Sequence, residues 1–319
     1  MLFRSRQLAG AQQEQAVQEA AAADAATPFD LASDVMLRVR FLRLGSDAGV
    51  LLFNMHHIAS DGWSMGVLVK EFAAQYAALA GGAPDPLPPL AIRYADYAQW
   101  QREWLSGAVL DEQLDYWQRQ LADLPPVHGL PLDHARPAQA SYAGARHVVT
   151  SSVATQQGLR RLAQREQATL FMVLHAALSV VLARHGNSAD VVIGTPVANR
   201  LQAELEDLIG FFVNTLVLRT DCSGNPAFTA LLQQVKASNL DAQAHQDVPF
   251  DHLVERLNPL RSAQYSPLFQ IMFSMDTTGG DLAAMAVAGV RFDPLSANVV
   301  ATKFELTFNA SETANGLVF

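Results

Sequence analysis

The chain of 319 residues contains one cysteine, Cys222. A lone cysteine excludes an intrachain disulfide and any cysteine-based metal cluster, and it fits a reducing compartment. No run of lysine and arginine occurs, and the formal net charge is −9. Both facts argue against nucleic acid or an anionic membrane surface as partner. Long apolar runs are missing as well. The best membrane candidate, Leu170 to Ala183, is interrupted by His175 and is too short to span a bilayer, so it reads as a buried helix. Met1-Leu2-Phe3-Arg4-Ser5-Arg6 lacks the apolar core of a signal peptide, which makes the expected localisation cytoplasmic. Helices and strands alternate without a repeat period, which disfavours solenoids and propellers.

What is present describes a folded protein. Half the residues are hydrophobic and 17% are charged, a balance that supports buried cores rather than disorder. The length suggests two domains or lobes. Gln12 to Ala26 is Ala/Gln/Glu-rich and predicts a helix that stops before Pro28. Met36 to Leu44 and Val50 to Met55, separated by Ser46-Asp47-Ala48-Gly49, predict an antiparallel pair of strands. Met65, Leu68, Val69, Phe72, Tyr76 and Leu79 recur at helical spacing until Gly81-Gly82. An aromatic helix is expected from Tyr94 through Trp104, and another from Asp111 to Leu121 with Leu114, Trp117 and Leu121 inward. The proline-rich stretch from Leu124 to Arg146 reads as a boundary between lobes at 1–130 and 131–319. Beyond it, strands are expected at 147–150, 191–196, 211–219, 268–275, 289–292 and 303–310. Helices are expected at 155–167, 170–185, 204–209 and 226–242, with a short one opening at Pro249-Phe250. A Gly/Asp-rich loop follows Met275. The fold class is mixed α/β.

The most informative stretch runs from Val50 to Ser64: an apolar strand, His56-His57, then Asp61-Gly62 and a helix. Ser60 or Asp61 can cap that helix, because a short side-chain oxygen accepts a bond from a free first-turn N–H. Three readings compete for the histidines. His57 is a general base, with the Gly62 and Trp63 amides at the helix N-terminus stabilising a developing oxyanion. Alternatively, His56, His57 and Asp61 ligate a metal, a reading weakened because adjacent strand residues point to opposite faces. In the third, the histidines are hydrogen-bonded groups of a strand–helix corner. Residue types alone leave these open. His175 reads as a core or groove residue and His185 as a helix end.

The pattern then gains company. His56-His57-Ile58-Ala59-Ser60-Asp61-Gly62 resembles the HHxxxDG signature of nonribosomal peptide synthetase condensation domains. Tyr94-Ala95-Asp96-Tyr97-Ala98-Gln99-Trp100 is similar to YxDYAxW. Ile209-Gly210-Phe211-Phe212-Val213-Asn214-Thr215 resembles IGFFVNT, and His245-Gln246-Asp247-Val248-Pro249-Phe250 resembles HQDxPFE; Ser266-Pro267-Leu268-Phe269-Gln270 follows. The resemblance extends from Pro28-Phe29-Asp30-Leu31 to the end. It implies a chloramphenicol acetyltransferase-like fold of two lobes with a tunnel between them. The implied reaction forms an amide between a donor acyl or peptidyl thioester and an acceptor aminoacyl thioester. Both are carried on phosphopantetheine arms of upstream and downstream carrier domains, with an adenylation domain adjacent. No directly bound cofactor or metal is implied. By the same resemblance His57 is the base or the group that positions the amine, and His56 supports it. Asp61 is structural, and Gly62 leaves room for the arm. Trp63, Asn214 and His245 are substrate-binding candidates. The Ser60–Ser64 variant is similar to that of domains taking an L-residue donor.

The family's SxAQxRLW and RHExLRTxF motifs have no counterpart here. The chain therefore reads as cut at both ends, with the first lobe incomplete and apolar edges exposed. The family aspartate pairs with an arginine assigned to the absent part, so Asp61 is expected to lack its partner. Two alternatives stand beside amide formation: a catalytically dead docking module for carrier or adenylation domains, and an epimerisation domain.

Overall fold

The computed structural model describes residues 10–276, 285–295 and 301–319. Their order is α1 (Ala11–Ala26), β1 (Leu37–Arg43), β2 (Gly49–Met55), α2 (Gly62–Gly81), α3 (Tyr94–Trp104), α4 (Gly107–Gln120), α5 (Val153–Arg165), α6 (Leu170–Gly186), β3 (Asp190–Val197), β4 (Asn214–Asp221), α7 (Phe228–Ala244), α8 (Phe250–Leu257), β5 (Ile271–Asp276), β6 (Met285–Val287), β7 (Val290–Phe292), β8 (Leu306–Thr313) and β9 (Gly316–Val318). Among the described residues no single helix is long and apolar enough to cross a membrane. Packing divides the chain into two compact units, neither continuous in sequence. The first gathers Met1–Tyr97, Arg200–Phe212 and Asp281–Val299; the second gathers Ala98–Asn199, Val213–Gly280 and Val300–Phe319.

In the first unit β1 and β2 form the expected antiparallel pair, in register from Leu37 opposite Met55 to Arg43 opposite Gly49. One face is covered by α1, where Val17, Ala20 and Leu42 are buried against Leu44, Val50 and Leu52. The other face leaves Val39 and Phe41 exposed. The ladder gains one more rung where the His56 N–H donates to the Met36 carbonyl. The chain then folds into a single 3₁₀ turn, His57–Ala59, before α2 begins. α2 ends as its glycines predict: Gly82 takes φ 66° and closes the last turn onto Ala78 and Leu79. Phe53 on β2, Phe72 and Tyr76 on α2, and Phe292 on β7 meet edge-on or stacked, so these three elements share one aromatic seam.

The second unit is built on a mixed sheet in the order β4-β3-β5-β8-β9. β5 runs parallel to β3 and β8, while the outer pairs β3–β4 and β8–β9 are antiparallel. Leu114, Trp117 and Leu121 are buried as expected, packed with Leu216, Leu218, Val248 and Phe269. α6, capped by Thr169 through the Met172 N–H, packs Met172, Val173 and Ala176 against Leu231, Leu232 and Val235 of α7. His175 is fully buried in α6. Its Nδ1 lies 3.0 Å from Asn239 Nδ2, and burial pushes its pKa down to about 4.

Several expected elements differ. Residues 147–150 are not a strand; only Thr150 bridges, while Val149 and Ser151 bond the backbone of Phe319 and Leu317. Val148 and Val149 stay exposed, so their β-branched run has no buried face behind it. The expected helix 204–209 is a 3₁₀ turn, Ala203–Leu205, because the carbonyls of Leu205 and Leu208 turn to the Arg200 guanidinium. β4 starts at Asn214 rather than Phe211, since the backbone of 210–212 bonds Ser64, Tyr94 and Asp61. β8 begins at Leu306, later than expected, and the short hairpin strand β6 has no counterpart among the expected elements. Most of the expected Gly/Asp-rich loop lies outside the described residues.

Candidate active site

The site is assembled from the corner between β2 and α2. His56 faces back along the chain: its Nδ1 accepts the Ile58 N–H at 3.0 Å, so its ring proton sits on Nε2. Its ring meets Phe29 edge-on at 5.7 Å. His57 has the opposite arrangement. Nδ1 lies 2.6 Å from the Ser60 carbonyl, which can only accept, so Nδ1 carries a proton and, in the neutral ring, the lone pair is on Nε2. Nε2 has no partner among the described residues. The Ser60 N–H returns a bond to the His57 carbonyl, closing the turn around the ring. Phe211 sets its ring edge-on to His57 at 5.1 Å and 82°.

Asp61 caps α2. Its Oδ1 accepts the Ser64 N–H and lies 2.8 Å from the Ser64 hydroxyl, and its Oδ2 accepts the Phe212 N–H at 3.0 Å. The expectation that Asp61 lacks an arginine is corrected here. Arg200, whose side chain is 1% exposed, brings Nη2 to 3.4 Å from Oδ1 and donates to Ser64 Oγ at 2.8 Å. Burial raises the Asp61 pKa, but the Ser64 and Phe212 donors and the Arg200 charge outweigh it and hold the carboxyl below its usual range. Burial likewise pulls Arg200 down, with Asp61 opposing, yet a guanidinium stays charged at neutral pH. The cation also lies 4.0 Å from the Phe212 ring centroid. With Asp61 taking the Ser64 N–H, the first-turn amides of Gly62 and Trp63 keep no intrahelical acceptor. A Cβ on Gly62 would meet open space, so nothing in the packing of this chain requires glycine there.

Other expected site residues fall into more structural places. Trp63 donates its indole N–H to the Glu206 carbonyl at 2.8 Å and remains 42% exposed. Asn214 is buried in the second unit with both amide ends used. Its Nδ2 donates to the Gln246 and Val248 carbonyls, and its Oδ1 accepts from the Thr215 and Phe250 amides. It is a clamp on the segment leading into α8. His245 in that segment donates from Nδ1 to the Asp241 carbonyl at 2.7 Å and stacks on Tyr116 at 3.9 Å. Among the described residues no group of three His, Cys, Asp or Glu side chains is placed to hold a metal.

Sequence reasoning missed Arg200, Ser64 and Gly210. Ser64 is fully buried and holds Gly210 from both sides, its Oγ accepting the Gly210 N–H at 3.1 Å and lying 2.8 Å from the Gly210 carbonyl. A Cβ at Gly210 would lie 2.2 Å from the Tyr94 ring, so glycine is required for that close approach. The only signal in the sequence is that Gly210 and Tyr94 each sit inside a family-like motif.

The helices, the two antiparallel hairpins and the mixed sheet define an α/β protein. A sequence model of the condensation domain matches residues 1–319, and the chain belongs to the condensation-domain family. It is 45% identical over 294 residues to one of the linear gramicidin synthase proteins of Brevibacillus parabrevis, covering 92% of this chain and 6% of that protein. Malpinin synthetase of Mortierella alpina is 42% identical over 91% of this chain and 4% of its own length. The chain thus spans a small fraction of the synthetases it matches. Among solved structures, the X-domain from teicoplanin biosynthesis superposes with a TM-score of 0.84 at 28% identity, over 96% of this chain and 71% of that one. The four-domain nonribosomal peptide synthetase AB3403 gives a TM-score of 0.84 at 26% identity, over 98% and 24%.

Proposed function

We propose that this chain forms an amide bond between a donor acyl or peptidyl thioester and an acceptor aminoacyl thioester, both presented on phosphopantetheine arms. The observation that carries this reading is the combination at the strand–helix corner: His57 held through Nδ1 by the Ser60 carbonyl, with the α2 N-terminus capped by Asp61 a few residues on. The acceptor amine attacks the donor carbonyl carbon while Nε2 receives or orients its proton. Collapse of the tetrahedral adduct breaks the C–S bond, and the departing thiolate takes the proton. The amides of Gly62 and Trp63 offer donors for the oxyanion, and Gly62 leaves space for an arm. His56 supports the corner, while Asp61 holds it rather than acting as an acid or base. The arms belong to upstream and downstream carrier domains next to an adenylation domain, in the cytoplasm, and no cofactor binds this chain directly. Within this reading 1–130 and 131–319 are the family's N- and C-terminal lobes, with Trp63, Asn214 and His245 near the substrate path. In the test, two loaded carriers are mixed with the protein and amide product is followed by mass spectrometry. His57→Ala is expected to lower the rate about 100-fold or more; equal product from both proteins would remove the assignment.

A second reading rests on one relative. The teicoplanin X-domain has been solved as a complex with OxyB, at a TM-score of 0.85 to this chain. A docking role for this chain would give carrier binding without turnover and no response to His57 substitution.

A further inference from the structure

The geometry points to Tyr94 as a positioning residue for His57, acting through Phe211. This rests on the reading of His57 as the catalytic group. The backbone of Gly210, Phe211 and Phe212 runs beside the histidine corner and is held at each residue by a different side chain. Ser64 takes Gly210, Tyr94 Oη donates to the Phe211 carbonyl at 2.9 Å, and Asp61 accepts the Phe212 N–H. Tyr94 does more than supply that bond. Its ring fills the place of a Cβ on Gly210 and meets Phe212 edge-on at 5.1 Å. Of the three aromatic side chains gathered here, Phe211 is the one that leaves the packed group: Phe212 is 2% exposed and Phe211 41%. Phe211 has its ring edge against His57. The Ser60 bond fixes His57 about its Nδ1, and the Phe211 ring limits its swing about the same bond. A ring whose own peptide is pinned can serve as such a stop; one on a loose peptide cannot.

Tyr94→Phe keeps the packing and deletes only the hydroxyl. With N-acetyl-phenylalanyl and glycyl pantetheine thioesters as probe donor and acceptor, it is expected to lower kcat about tenfold with KM nearly unchanged. Phe211→Ala should give a similar loss, and the double variant little more than either, because both act at one ring. Wild-type kcat in Tyr94→Phe, or fully multiplicative losses, would overturn the proposal. A second measurement does not depend on turnover. NMR with labelled histidine should show contacts between the His57 and Phe211 rings in the wild type that weaken in Tyr94→Phe, while a thermal melt stays within a few degrees. Unchanged ring contacts would overturn the positioning role. A wild-type protein that shows these contacts but forms no amide would instead defeat the proposed reaction.

Discussion

His57 in the first unit and His245 in the second are built alike at the ring. Each donates its Nδ1 proton to a backbone carbonyl, Ser60 at 2.6 Å and Asp241 at 2.7 Å, and so in the neutral ring each carries its lone pair on Nε2. Their surroundings differ. His245 lies flat on Tyr116, whose hydroxyl pKa is pushed up to about 12 by burial and by the charge of Asp241. Its carbonyl takes the Trp117 indole N–H, and Asn214 clamps the residues after it, all with neutral hydrogen bonds. His57 touches an aromatic edge instead, and its loop is secured by the buried Asp61–Arg200 pair. A favourable tautomer is therefore not enough to identify a base. What separates the two corners is that one imidazole is covered by a parallel ring while the other meets a ring edge-on, in a loop secured by a buried ion pair.

The comparison can be broken most forcefully at Asp61. Asp61→Ala removes the α2 cap and leaves the Arg200 cation buried, which is expected to cost about 3–5 kcal/mol. Urea denaturation should show that loss, and a change below about 1 kcal/mol would mean the ion pair does not secure the corner. Acid distinguishes the units next. The His175 pKa is about 4 in the folded protein and near 6.5 when exposed, so between these values the unfolded chain binds the extra proton. The stability contributed by the neutral ring is complete above pH 6.5 and is lost as pH falls toward 4, about 3 kcal/mol in all. Asp61 behaves differently: its pKa is depressed, so its contribution survives until pH falls through a value below 3.8. Pulse proteolysis at pH 4.5 is then expected to cut the second unit first, and initial cleavage in the first unit would reverse the ranking. The smallest of these effects comes from Asn214→Ala. Truncation leaves the Gln246 and Val248 carbonyls unpaired for roughly 2–3 kcal/mol, with little change in turnover per folded molecule. A loss of turnover as large as that of His57→Ala would make Asn214 part of the chemistry and erase the contrast.

Much of the corner was legible because its causes are local. The apolar alternation of Leu37 to Arg43, the Ser46–Gly49 turn, the Asp61 cap and the Gly82 stop all act within a few residues of the structure they determine. Arg200 was not legible. It stands 139 residues from Asp61, and nothing in a short window marks it as a partner. Tyr94 was readable as a packing aromatic, which it is, but its bond to the Phe211 carbonyl depends on tertiary placement. Asn214 was readable only as a motif position, not as a backbone clamp. Its place in a family-like motif suggests contact with substrate, whereas its four hydrogen bonds are all spent on the backbone.

The carbonyl of Ser60 has a consequence for how the His57 ring is held. A carboxylate behind an imidazole stabilises the imidazolium with a full negative charge, as in a serine hydrolase triad. A peptide carbonyl offers only a dipole, and the nearby carboxylate of Asp61 is already neutralised by Arg200. The Ser60 carbonyl therefore orients the His57 ring without placing a carboxylate behind it.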